Sequence, residues 1–90
     1  MSRQIGPLPL IETGETTLIA LLPGELAAGG PRRGQVSRDR GRLRIAVPGA
    51  TLLFDLAAER ALRTAPRILI VEAEGGQARL LGELTLAWDL

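Results

Sequence analysis

The sequence of 90 residues contains no cysteine, histidine, lysine or tyrosine, and its two aromatic residues are Phe54 and Trp88. Without cysteine, the chain has neither a disulfide framework nor a thiolate metal site. Without histidine, it lacks the most common general base near neutral pH and the most common metal ligand. Without lysine, it has no Schiff-base nucleophile and no phosphate-loop lysine. These absences predict a protein that is not an enzyme and that uses no cofactor or metal.

Long apolar segments are also missing. The longest apolar run extends from Leu18 to Leu22, far below the roughly 20 residues that a membrane-spanning helix needs. The N-terminal residues contain no sustained apolar stretch, so the sequence predicts no secretory signal. We therefore expect no membrane insertion, and a protein of the cytoplasm or of a particle assembled there. A formal net charge of +1 does not by itself imply a polyanionic partner.

Turn residues divide the N-terminal half into short segments. Residues 1–14 contain two prolines and two glycines, which predicts an extended N-terminal arm rather than a helix. Residues 15–22, with the sequence ETTLIALL, combine β-branched and aliphatic residues and end before a Pro-Gly pair. We interpret this segment as a buried strand, and a short helix remains the alternative because a brief apolar run fits both.

The segment 35–47 has the pattern of a β-hairpin. Apolar residues at every second position follow an Asp-Arg-Gly turn, a sequence that suits the positive backbone angles of a tight turn. On the second strand, Arg42 and Arg44 alternate with the apolar residues. Since successive side chains of a strand point to opposite faces, we expect both arginines to face away from the core.

A second hairpin is predicted over residues 67–88, where two β-type runs are joined by a Gly-Gly turn. This turn pairs Val71 with Leu80 and Glu72 with Arg79. Strict alternation then places apolar side chains on both faces of the hairpin. One face holds Leu80, Leu84, Leu86 and Trp88, and the other holds Ile68, Ile70 and Leu81. A hairpin of this kind needs cover on both sides, and a second chain is a natural source of it.

Residues 55–65 have the features of one short helix. Asp55 is the expected N-cap, Glu59 and Arg63 form an i,i+4 ion pair, and Pro66 ends the segment. The sequence therefore predicts a single domain over residues 1–90, of the α+β class and mostly antiparallel β. It has two hairpins, at about 35–47 and 67–88, and one short helix at about 55–65.

Residues 32–44 carry a cluster of arginines with one acidic residue, Asp39. Three interpretations remain open: a solvated hairpin that resists edge-to-edge pairing, a surface that docks onto an acidic protein surface, and a surface that binds nucleic acid. Stacking platforms for single-stranded nucleic acid are missing from this segment, because it has no aromatic residue. The cluster consists of Arg32, Arg33, Arg38, Arg40, Arg42 and Arg44.

Trp88 stands two residues before the end of the sequence. It is either part of the core or an interface anchor, since Trp is enriched at binding hot spots.

Taken together, these observations predict a non-catalytic structural or interaction subunit, or an adaptor, of a larger protein assembly. Virion-like particles and secretion machines use such modules. We expect a protein partner, with self-association favoured, and no small-molecule substrate. The alternative is a small dimeric DNA-binding regulator that uses the hairpin 32–44.

Overall fold

The computed structural model describes residues 3–26 and 32–89, which form nine strands and one helix. The expected small α+β domain made mostly of strands is confirmed. The strands are β1 (Arg3–Ile5), β2 (Leu10–Thr13), β3 (Thr16–Leu21), β4 (Arg33–Asp39), β5 (Arg42–Val47), β6 (Ala50–Asp55), β7 (Ile68–Glu74), β8 (Gln77–Glu83) and β9 (Thr85–Trp88), and the helix is α1 (Ala58–Thr64).

The strands form two mixed sheets that enclose one aliphatic core. The first sheet has the order β1-β6-β5-β4-β9, and the second has the order β2-β3-β7-β8. Buried side chains of both sheets belong to the same cluster, with Phe54 as its one fully buried aromatic residue. The strand register aligns one core row across the first sheet, formed by Ile5, Leu52, Ile45, Val36 and Trp88.

The ambiguous segment 15–22 is a strand, so the helix alternative is wrong. Along β3, Thr17, Ile19 and Leu21 are buried, and the residues between them are partly exposed. This period of two is the pattern of a strand with one face on the core. The strand lies between β2 and β7, which supply its backbone hydrogen-bond partners on both edges.

The N-terminal segment is extended, as residues 1–14 were expected to be, but it is incorporated into both sheets. β1 lies parallel to β6 at the edge of the first sheet, and β2 pairs with β3 at the edge of the second. Residues 1 and 2 of the predicted arm lie outside the described residues. The segment therefore contributes an edge strand to each layer of the domain.

The first hairpin has the predicted form. β4 and β5 pair antiparallel up to Asp39 and Arg42, and Arg40 and Gly41 form the two-residue turn with φ angles of 51° and 78°. Positive φ at both central residues is the signature of a type I′ turn, whose twist matches that of the flanking strands.

The second hairpin has the predicted register near its turn and departs from it further along. Val71 pairs with Leu80 as expected, but Ile70 pairs with Gly82, so Leu81 is an extra residue in a β-bulge. Strict alternation fails beyond the bulge, because an extra residue exchanges the two faces of the strand. The predicted common face of Leu80 and Leu84 is therefore wrong: Leu80 is 60% exposed and Leu84 is 3% exposed.

The predicted hairpin 67–88 also ends earlier, because the chain changes sheets at Leu84. The Leu84 N–H donates to the Ile68 carbonyl at 2.8 Å, and the Thr85 N–H donates to the Arg32 carbonyl at 3.0 Å. Beyond this point β9 lies parallel to β4 in the first sheet. Gly34 makes room for the crossing, because a Cβ there would lie 2.5 Å from Ile45 Cγ2 and 3.2 Å from Leu84 Cδ1.

The helix is shorter than predicted, and its N-cap is a different residue. Asp55 is the last residue of β6 and pairs with Arg42, so the expected Asp55 cap is wrong. The N-cap is Ala57, which makes no side-chain capping bond. Strand β6 extends to Asp55, and its preceding residue Phe54 is fully buried in the core. At the other end the backbone becomes extended at Ala65, as expected for a residue before proline.

We expect Leu84→Asp to unfold the domain, because it places a carboxylate where the two sheets meet. Burying an unpaired charge costs at least about 3 kcal/mol, against the roughly 5–13 kcal/mol expected for a domain of this size. Urea denaturation followed by circular dichroism measures the loss. Leu56→Asp is the control, because Leu56 is 42% exposed and should change the free energy of unfolding by less than about 1 kcal/mol. Equal stability of the two variants would contradict the burial of Leu84.

Candidate functional site

The arginine cluster lies mainly on the outer face of the first sheet and at the β4–β5 turn. Arg42 and Arg44 alternate with Leu43 and Ile45, which are buried, so both arginines point away from the core as predicted. Together with Asp39, Arg40, Gln4 and Leu53, they line a shallow cavity of about 280 Å³. The exposed members of the cluster are Arg32, Arg33, Arg38, Arg40 and Arg42.

Acidic side chains are interleaved with this basic surface. Arg44 Nη1 lies 3.0 Å from Asp39 Oδ2. In the strand register Arg42 stands between Asp39 on β4 and Asp55 on β6. Oppositely charged neighbours on adjacent strands stabilise a sheet by about 0.2–1 kcal/mol per pair. The outer face of the first sheet is therefore a mixed charged surface rather than a uniformly positive one.

Arg40 holds an unusual backbone conformation at the tip of this hairpin. Its φ angle of 51° is in the left-handed region, where residues other than glycine, asparagine and aspartate are disfavoured by about 1–2 kcal/mol. The following Gly41 fits the same turn without strain. An exposed arginine is thus kept at a position where asparagine would be more favourable.

Arg38 differs from the other arginines, because it lies on the core side of the first sheet. Its register neighbours Leu43 and Phe54 are both buried. There it forms a two-point ion pair with Glu59 on α1, with Nε 2.8 Å from Oε1 and Nη2 2.7 Å from Oε2. Bidentate pairs of arginine and carboxylate are among the stronger hydrogen-bonded contacts in proteins. This pair ties the helix to the end of β4.

Glu59 also contacts Arg63, and through Arg63 the ion pair is connected to Trp88. Arg63 Nε lies 3.2 Å from Glu59 Oε2, which confirms the predicted i,i+4 pair, and the Arg63 guanidinium lies 4.1 Å from the centre of the Trp88 ring. The hydrogen bond from Arg38, helped by the charges of both arginines and opposed by partial burial, lowers the pKa of Glu59 from 4.5 to about 2. The same pair raises the pKa of Arg38.

Trp88 is partly buried against the core and belongs to β9. Its backbone lies opposite Val36 in the first sheet, and its ring packs under Arg63. A cavity of about 230 Å³ adjoins it, between the end of α1 and the start of β7. Of the two interpretations of Trp88, the structure shows packing on the core, and an interface role stays a prediction.

The outer face of the second sheet carries a continuous aliphatic surface. The strand register sets its members in two adjacent rows of three, and Glu83 follows Leu69 in the first row. We call this surface the apolar face, and it consists of the row Ile11, Leu18 and Leu69 and the row Ala20, Val71 and Leu80.

These side chains point away from the core of their own domain. None of the six belongs to the core cluster or packs against it, although Val71 is buried. Val71 has a central position on this face, between Ala20 and Leu80 in the strand register. Among the described residues, four large hydrophobic side chains are strongly exposed. Ile11 and Leu80 belong to the apolar face, Leu22 directly follows β3, and Leu56 lies near the helix.

Sequence reasoning anticipated one part of this surface and missed another. The sequence pattern placed Leu80, paired with Val71, on an apolar face of the second hairpin, and it did not place Leu69. The contributions of β2 and β3 were not identified. The available signal was the run LIALL in residues 18–22, in which both alternating sets are apolar. A strand with two apolar faces buries one on its own core and leaves the other for further contact.

Comparisons with protein-family models, with curated proteins and with solved structures found no match. Functional inference therefore rests on the residues of this chain. In residues 3–26 and 32–89 no helix is long and apolar enough to cross a membrane. In the same ranges no three acidic side chains come together as a metal site.

We expect Arg40→Asn to stabilise the protein, because asparagine tolerates the left-handed conformation of a type I′ turn. The free energy of unfolding should rise by about 0.5–1 kcal/mol, measured by urea denaturation. Arg42→Asn is the matched control, because it removes the same charge from an extended strand position and relieves no backbone strain. A gain of equal size in Arg42→Asn would show that charge, not the turn, is responsible.

We expect Glu59→Gln to reduce the loss of stability that the protein shows as the pH falls from 4.5 toward 2. The pKa of Glu59 is about 2 in the folded protein and 4.5 without its partners. Its contribution is therefore complete above pH 4.5 and is lost as pH falls toward 2. Melting temperatures across this window should fall less in Glu59→Gln than in the natural protein, and should be lower at pH 7. The exposed Glu74→Gln is the control, and an equal reduction of this loss there would contradict this role of Glu59.

Proposed function

We propose that this protein is a non-catalytic, self-associating subunit of a larger protein assembly. The observation that carries the proposal is the apolar face on the outside of the second sheet. Six aliphatic side chains stand together there outside the core cluster, and Ile11 and Leu80 are the two that are strongly exposed. The exposure of apolar surface to water is unfavourable by about 25 cal/mol for each Å². A protein contact that covers this face removes that cost.

The arginine hairpin supports a second, polar contact. Arg40 and Arg42 are exposed and form no ion pair with another described residue. Glu12 and Glu15, near the β2–β3 turn of the second sheet, are exposed as well. Because the two groups lie on different sheets, the hairpin of one molecule docks onto the acidic edge of another in a head-to-tail arrangement. Such a contact depends on salt, since exposed charges are screened.

From the sequence we also propose residence in the cytoplasm, or in a particle assembled there. The second candidate function is a dimeric DNA-binding regulator. The observation that favours it is the group of exposed arginines at the β4–β5 turn, since arginines at phosphates supply much of DNA affinity. The pairing of Arg38 and Arg44 with carboxylates favours protein docking instead.

Absolute mass by light scattering, at about 0.1 M and 1 M salt, tests the proposal. We expect species larger than a dimer at low salt and a dimer at high salt, because screening weakens charge contacts and leaves apolar burial intact. Arg40→Glu with Arg42→Glu should stay folded and remove the larger species. Arg3→Glu with Arg60→Glu, the same charge change elsewhere, should leave them. A monomer at both salt concentrations would contradict self-association.

A titration with duplex DNA at about 50 mM salt separates the two candidate functions. Binding that weakens steeply with salt, by several counterions, would support the DNA-binding alternative. No binding under these conditions would remove it.

A further inference from the structure

We infer that two copies of this chain pair antiparallel along the free edge of β9, around a two-fold axis at Ala87. This inference rests on the proposed self-association and adds to it a contact on the first sheet. β9 is the last strand in the order β1-β6-β5-β4-β9, so one of its edges has no neighbouring strand within the described residues. The pairing joins the five-stranded sheets of two molecules into one continuous sheet.

The main-chain groups at this free edge follow from the pairing of β9 with β4. The N–H groups of Thr85 and Asp89 both donate to carbonyls on the side of β4, at 3.0 Å and 3.4 Å. Along a strand, the main-chain groups of successive residues point to alternate edges. Leu86 and Trp88 therefore direct their N–H and C=O groups to the free edge, where a further strand is able to bond them.

One antiparallel register uses all of these groups. When Leu86 of one copy stands opposite Trp88 of the other, the two residues exchange both of their N–H···O=C hydrogen bonds. The two-fold axis repeats this pair on its other side. Every main-chain group that Leu86 and Trp88 direct to the free edge is then bonded, in both molecules.

The side chains that this register brings together are complementary. Ala87 meets Ala87 of the second copy at the axis, where the Cα atoms of the two strands are about 4.5 Å apart and small side chains fit. On the same face, the Thr85 hydroxyl of one copy donates to the Asp89 carboxylate of the other. On the core side, Leu86 packs beside the Trp88 ring, which buries apolar surface of both.

The cavity beside Trp88 lies at this edge and leaves space for the second copy. Its volume is about 230 Å³, and its lining includes Thr85, Leu86 and Trp88 but no residue of β4, a strand that lies wholly within the described residues. The cavity therefore opens on the side of β9 that faces away from β4. The buried Leu62 and Leu84 form part of its wall. In the paired arrangement, Leu86 and Trp88 of the second copy cover its opening.

β9 is also the edge strand that lacks the usual protection against pairing. Proteins protect free edges with charged side chains, proline or β-bulges. β1 carries Arg3, and β2 follows Pro9 and carries Glu12. β8 contains the bulge at Leu81. β9, with the sequence TLAW, has no charge, proline or bulge, so among the edge strands of the described residues it is the one whose sequence permits pairing.

The charges beside this edge permit a contact between identical surfaces. A two-fold contact brings each group near its own kind, so a surface of one sign repels itself. Here both signs are present: Arg67 Nη2 lies 3.3 Å from Glu83 Oε2, Arg63 lies over the Trp88 ring, and Asp89 is exposed. The arginine hairpin lacks this balance, and a two-fold contact through it would oppose like charges.

Charge variants at position 87 test both the contact and its register. Ala87→Glu and Ala87→Arg each place like charges opposite each other at the axis, so each should raise the dissociation constant of the dimer at least about 10-fold. An equal mixture of the two variants places opposite charges there and should restore association. Sedimentation equilibrium at protein concentrations up to about 1 mM measures all three samples, because a short edge makes a weak interface.

Ala46→Glu and Ala46→Arg are the matched controls. Ala46 stands in the same register row as Ala87, with Gln35 between them, and it lies on the exposed face of the first sheet. It belongs to the central strand β5, two strands away from β9. Charges there stay far from the axis and should leave the dissociation constant unchanged. Circular dichroism checks that all four variants keep the fold.

Trp88 is the single tryptophan of the chain, so its fluorescence gives a second readout at the same edge. Its emission should shift to shorter wavelength as protein concentration rises, because the second copy covers the ring. Ala87→Glu should remove this dependence on concentration, and Ala46→Glu should keep it.

The outcomes separate the inference from the proposed function. A dimer that weakens in both position-87 variants and returns in their mixture supports both. A dimer that ignores these variants, or that does not return in the mixture, overturns pairing at the β9 edge around Ala87 and leaves self-association standing. A protein that stays monomeric at every concentration overturns both.

Discussion

The architecture depends on the place where the chain passes directly from β8 in the second sheet to β9 in the first. At Leu84 the backbone hydrogen-bonds to β7 of the second sheet, and at Thr85 it hydrogen-bonds beside β4 of the first. Consecutive residues therefore belong to different layers, and the buried side chain of Leu84 lies between them. The crossing requires close approach of the backbone at Gly34. Separation of the two layers at this point would break both hydrogen bonds and expose Leu84.

The crossing also determines which surfaces remain exposed. Leu81 and Leu84 both reach the core, although strict alternation would send them to opposite sides. The bulge at Leu81 resolves this conflict. Leu80 lies on the turn side of the bulge and keeps the outward position that the Gly75-Gly76 turn sets. Beyond the bulge and the crossing, β9 lies in the first sheet, where Trp88 meets Arg63.

Local sequence signals predicted the parts of the fold that local chemistry controls. The Gly75-Gly76 and Arg40-Gly41 turns fix the register of their hairpins, because the turn type sets which residues face each other. The outward position of Arg42 and Arg44 follows from the same alternation. Parallel pairing of β3 with β7 and of β4 with β9 was not predicted, since it depends on packing between distant segments. For the same reason, the pairing of Arg38 with Glu59, which are 21 residues apart, had no local signature.

The two exposed surfaces are suited to different kinds of contact. An aliphatic contact is less weakened by salt than a contact between exposed charges, and it discriminates less between partners. Arginine and carboxylate contacts are weak when exposed, they depend on salt, and they discriminate between partners through charge. The protein places these two surfaces on different sheets, so each can be altered without the other. Arg40 belongs to the charged surface and is strained, because a turn optimised for stability would carry asparagine there. A cation at this exposed position therefore lowers the stability of the monomer, which is what we expect of a residue kept for the proposed contact with an acidic neighbour.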